Sequence, residues 1–154
     1  MKVSGMFRAA IPAMIASAAF TLAGCATMDS AWDSTKAMVS GSNVTLSGAE
    51  EVPPVTTSGS GSGTITVNDD KSMSGSVKIT GFTATVAHIH IGERGKIGPV
   101  ILPFTKGSDG STFSAPAGAK LTDKQYEAYK AGNLYFNAHS AANKGGEVRG
   151  QLKP

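Results

Sequence analysis

The three histidines of the chain, His88, His90 and His139, fall in two short segments whose apolar residues alternate, VAHIHI (86–91) and LYFNAH (134–139). Successive side chains of a strand point to opposite faces. His88 and His90 therefore share one face, and Ala87, Ile89 and Ile91 share the other. In the second segment Leu134, Phe136 and Ala138 form the apolar face, opposite Tyr135, Asn137 and His139. A third segment, EVRGQL (147–152), sets Val148 and Leu152 against Glu147, Arg149 and Gln151. Were these strands neighbours in one sheet, His88, His90, His139, Glu147 and Arg149 would converge. An i, i+2 pair on one strand is roughly 7 Å apart at the backbone, close enough for two imidazoles to chelate one ion. A third histidine completes a three-nitrogen set suited to copper(II) or zinc. Glu147 and Arg149 would then support the ligands from behind, and Glu147 or Glu93 would orient an imidazole or bind directly. The alternative is a buried polar network in which the same histidines satisfy carbonyls and carboxylates.

The elements that must position these residues follow from the pattern. Val44–Leu46, Gly63–Val67, Met73–Ile79, Val86–Ile91, Val100–Phe104, Leu134–His139 and Glu147–Leu152 read as strands, with Thr112–Ser114 as a candidate further short one. Asn68-Asp69-Asp70-Lys71 is a turn signal that joins the second and third into a hairpin. The run Ser58–Gly63 (SGSGSG) predicts a mobile loop. One helix is marked near 123–131: Thr122 and Gln125 have capping-box spacing, and Gly132 stands where a left-handed residue ends a helix. Leu121, Tyr126 and Tyr129 give it a packing face. Some seven strands and one helix in so short a chain predict a mainly β fold, a compact antiparallel β-sandwich or flattened barrel. Glu50-Glu51 before Pro53-Pro54 marks an extended edge or loop, with an acidic recognition patch as the alternative.

The N-terminal segment is of another kind. An apolar stretch runs from about Ala9 to Ala23 after Lys2 and Arg8, too short for a bilayer core and typical of a secretory signal. Leu22-Ala23-Gly24-Cys25 resembles the bacterial lipobox, so residues 1–24 are expected to be removed and Cys25 to carry lipid. Such acyl chains anchor a protein stably. Ala26, rather than aspartate, directs the expectation to the outer membrane. Residues 25–43 read as a lipidated tether, with a brief helix over 29–38 as the alternative, and 44–154 as the β domain. Cys25 is the one cysteine. Once lipidated it leaves no thiolate, which excludes blue copper and disulfides. The formal charge of +3 from 14 basic and 11 acidic residues includes Lys2 and Arg8. Removing them leaves 12 basic against 11 acidic side chains, a net of +1, and no basic stripe for nucleic acid. No serine stands in a nucleophile-elbow pattern, and no carboxylate pair has a catalytic spacing.

Several blocks occur together in the order of one family. They are Leu46-Ser47-Gly48 followed by Glu50-Glu51-Val52-Pro53-Pro54, His88-Ile89-His90-Ile91-Gly92, Gly98-Pro99-Val100, Ala131 to His139 and Gly145-Gly146-Glu147-Val148-Arg149-Gly150-Gln151-Leu152. In these the chain resembles the CHRD (chordin-type) domain family from Val44 to Leu152. The resemblance implies a compact, mainly β extracellular domain and no general catalytic activity. The chain departs from it at Ser140 and Lys144, where members often carry threonine and proline; neither change removes a candidate ligand. The expectation is a lipid-anchored envelope binding module, not an enzyme, whose partners are the membrane and a copper or zinc ion or an envelope ligand. A structural or adhesive protein without metal is the rival, and a copper-dependent oxidoreductase a third reading.

Overall fold

The computed structural model describes residues 41–154; Cys25, Ala26 and the 29–38 segment lie outside them. Among the described residues the hairpin signal is realised first. β2 (Ser60–Val67) and β3 (Met73–Thr80) pair in antiparallel register from Ser60↔Thr80 to Val67↔Met73. The turn between them is closed by Lys71 N–H donating to Asn68 O at 2.8 Å. β1 (Ser42–Ser47) pairs with the other edge of β2 and begins two residues before the expected boundary. Only Ser58 and Gly59 of the run SGSGSG precede the strand; Ser60 to Gly63 lie in β2 with a neighbour on each side and are not a loop. Glycine is what makes this possible. A Cβ on Gly63 would stand 2.0 Å from Ser76 O, and one on Gly61 2.7 Å from the Leu46 side chain. The composition that resembles a linker here permits close strand and side-chain approach.

The remaining strands are β4 (Val86–Ile91), β5 (Val100–Pro103), β6 (Thr105–Lys106), β7 (Thr112–Ser114), β8 (Leu134–His139) and β9 (Val148–Gln151). All pair antiparallel in one nine-stranded sheet, ordered β5-β4-β8-β9-β1-β2-β3-β7-β6. Its two edge strands are consecutive in the chain, separated only by Phe104. β5 pairs with β4 and β6 with β7, and Phe104 N–H donates to Ala87 O at 2.9 Å. One bent segment therefore joins the edges, and the sheet is a nearly closed barrel rather than a sandwich. Closure removes the unpaired edges that invite aggregation.

The inward faces follow the alternation. Val44, Ile65, Val77, Ile89, Phe113 and Phe136 are all 1% exposed or less, and Phe104 packs edge-on against Phe136 with centroids 5.1 Å apart. The helix α1 (Asp123–Lys130) starts at the expected capping box: Gln125 N–H donates to Thr122 Oγ1, and Thr122 N–H donates to Gln125 Oε1. Gly132 follows it at φ 73°.

The outward face of β4, β8 and β9 departs from simple alternation. Every residue of β8 is buried, because the loops at 48–57, 92–99 and 140–147 fold back over the polar side of these strands. The barrel consequently has an apolar core on one side of this wall and a polar layer on the other.

Candidate metal centre

β8 lies between β4 and β9, so the three polar faces do stand side by side. The register sets His88 opposite Asn137 and Asn137 opposite Arg149; the next row is His90, Tyr135 and Gln151. His139 stands two positions along β8 from Asn137, on the same face. The ring centroids are 5.8 Å apart for His88–His90, 5.0 Å for His88–His139 and 6.2 Å for His90–His139. One nitrogen from each ring lies within 4.8 Å of the other two.

Backbone carbonyls fix which nitrogens face inward. His90 Nδ1 is 2.9 Å from Gly98 O, and His139 Nδ1 is 2.9 Å from Lys144 O. A carbonyl can only accept, so each Nδ1 carries the proton and each Nε2 bears a lone pair. The His139 lone pair faces His88 Nδ1 at 3.1 Å. The Nε2 of His90 is buried and has no hydrogen-bond partner, which is costly for a polar atom. A carbonyl behind a ligating imidazole is the arrangement that orients histidine ligands in metal sites. Burial pushes all three imidazoles below their ordinary pKa. For His88 and His90 the neighbouring imidazoles add to this, and the Arg149 guanidinium adds at His90; the Gly98 and Lys144 carbonyls oppose the shift. The set is therefore neutral at pH 7, the form that coordinates metal.

The two loops that supply these carbonyls are held by the residues expected to support the ligands. Glu147 accepts from Thr57 Oγ1 (2.5 Å), Ser140 Oγ (2.7 Å) and Asn143 Nδ2 (2.7 Å). These bonds keep its carboxyl below the ordinary range. Glu147 reaches none of the imidazoles by a hydrogen bond; it shapes the 140–147 loop that carries Lys144 O. Ser140 makes the hydroxyl contact, so the departure there is accommodated. Arg149 donates to Lys96 O (2.8 Å) and Glu93 O (3.0 Å), and it pairs with neither the Glu147 nor the Glu93 carboxylate. Its guanidinium carbon lies 3.4 Å from the centroid of Tyr135, whose ring stacks on His90 at 4.8 Å and 12°. Glu93 contributes its carbonyl rather than its side chain. Gly98 closes the loop over the site, since a Cβ there would lie 1.6 Å from Ile91 O.

Two features escaped the sequence reading. Tyr135 was legible as part of the polar face, but its place between His90 and Arg149 depends on two other strands. Glu51 was legible only as one of the Glu50-Glu51 pair, whose members look alike in sequence. In the structure a short 3-10 turn (Gly48–Glu50) separates their fates. Glu50 is bonded to Arg94 at 2.6 Å on the surface. Glu51 is buried and accepts from Asn137 Nδ2 at 2.5 Å. No acidic patch forms at the pair. Burial pushes the Glu51 carboxyl up to about 7, partly offset by Arg149, and Asn137 Oδ1 beside it is buried without a partner.

Fold and site together define a small antiparallel β-barrel domain with a polar annexe that gathers three imidazoles. By its match over residues 42–152, the chain belongs to the CHRD domain family. No curated protein and no solved structure matches the chain.

Proposed function

We propose that this CHRD domain is a metal-binding module that holds one copper or zinc ion through His88, His90 and His139. The observation that carries the reading is the His90 Nε2 atom, buried and unpartnered, in a cluster where one nitrogen from each of the three rings lies within 4.8 Å of the other two. Three neutral nitrogens leave room for a fourth, external ligand at a tetrahedral ion. The domain is a binding module rather than an enzyme. It sits in the bacterial cell envelope, tethered by lipid on Cys25, with the outer membrane as the destination that Ala26 favours.

The test is elemental analysis and calorimetric titration of the full-length protein, purified without an affinity tag. One ion per chain is expected, and His88→Ala, His90→Ala and His139→Ala should each weaken binding at least tenfold. Because burial depresses the imidazole pKa values, affinity should hold through pH 6.5 and fall only below it.

The His88–His139 contact at 3.1 Å favours a second reading, a purely structural cluster. On that reading wild type binds no metal. His139→Ala would then cost about 1–3 kcal/mol in metal-free protein, by stranding the His88 donor and the Lys144 carbonyl.

A further inference from the structure

Resting on that reading, we infer that the three-histidine site selects copper in its monovalent state over divalent ions, and that Arg149 sets this preference by acting through Tyr135 on His90. The first ground is the donor set. No carboxylate or thiolate joins the cluster among the described residues, so a bound ion keeps its full charge. His90 and His139 are each 9% exposed. The cost of carrying charge into such a site rises with the square of that charge, so burial works against a divalent ion.

The second ground is the stack. Arg149 is 2% exposed, and its guanidinium donates only to carbonyl oxygens of the backbone and the Gln151 side chain. It lies on one face of Tyr135 at 3.4 Å, while His90 is stacked with Tyr135 at 4.8 Å. A fixed positive charge thus stands one aromatic layer behind a ligand, roughly 8 Å from its ring. An ion held by His90 stands about 3 Å from the ring centre in its plane, roughly 9 Å from the guanidinium; at an effective dielectric constant of about 20 each added unit of ion charge then weakens binding about twenty-fold. No carboxylate joins the imidazoles among the described residues: Glu147 is turned to Thr57, Ser140 and Asn143, and Glu51 to Asn137. Copper is the imidazole-binding metal that offers a monovalent state; zinc does not.

The experiment is chelator competition on the full-length protein under anaerobic conditions, with copper(I), copper(II) and zinc(II) as the probes. Copper(I) is expected to bind most tightly. Arg149→Gln should shift the copper(I)-to-copper(II) affinity ratio about twenty-fold towards copper(II), a fall in potential of about 80 mV at 59 mV per tenfold. Arg149→Lys should keep the wild-type ratio. An unchanged ratio in folded Arg149→Gln, or a wild type that prefers copper(II) or zinc, overturns the inference while leaving the metal site standing. Should Arg149→Gln not fold, silver(I) and zinc(II) competing for wild type decide the matter, and zinc displacing silver at equal concentration overturns it. A wild type that binds none of these ions fails the proposed function itself.

Discussion

Replacing Glu51 with glutamine removes an ionisation that the fold resists. Glu51 is 7% exposed, and burial raises the pKa of its carboxyl from 4.5 to about 7 despite the opposing Arg149 charge and the Val52 backbone bond, with Glu147 adding to the rise. An acid whose pKa is raised on folding holds its proton more tightly in the folded chain. Stability is then greatest below 4.5 and is lost as pH rises through 7. At about 1.36 kcal/mol per pH unit the loss approaches 3 kcal/mol. Glutamine keeps an oxygen for Asn137 Nδ2, and its amide nitrogen can donate to the unpartnered Asn137 Oδ1. Urea unfolding of metal-free wild type and Glu51→Gln from pH 4.5 to 8.5 measures the effect. The three histidines act in the opposite sense, since their depressed values make stability rise with pH up to 6.5, but they do so equally in both proteins. The difference between the two curves isolates Glu51 and should widen by about 3 kcal/mol in favour of glutamine. Parallel curves would refute the reasoning.

Phe136→Asp places a charge at a fully buried position against Phe104; it should cost 4 kcal/mol or more, on the order of the whole stability of such a domain, and an unchanged melting temperature would contradict the assigned strand faces. Gly98→Ala must displace Ile91 O or the loop that accepts the His90 proton; thermal melts and metal titration should show about 2 kcal/mol lost together with weakened binding. Cys25→Ser should abolish acyl mass in the envelope fraction, which mass spectrometry reads directly; acyl mass retained in the variant would place the lipid elsewhere.

Much of the site was legible because a strand reports the direction of its side chains. A period of two assigned Ala87 and Ile89 to the core and His88 and His90 to the other face, and did the same for Phe136 and His139. The helix was legible at both ends because Thr122, Gln125 and Gly132 act within a few residues of one another. What failed was any reading that treated composition as conformation. Ser60–Gly63 of SGSGSG form a strand because small residues let its neighbours close in, and that need arises only when Ser76 and Leu46 are placed beside it.

The amino-acid sequence by itself determined most of the strands, the inward faces, the capped helix and the membership of all three histidines in polar strand faces, since each depends on neighbours a few positions apart. The tertiary structure decided what no local pattern encodes. Strand order put β8 between β4 and β9 and so brought His139 to His88. Three loops covered the polar face, turning an outward surface into a buried layer and setting Gly98 O and Lys144 O behind two imidazoles. Arg149 found carbonyls and an aromatic face instead of a carboxylate, and Glu51 was drawn inward while Glu50 stayed at the surface. Each of these outcomes depends on burial and on partners distant in sequence, and burial is a property of the assembled fold.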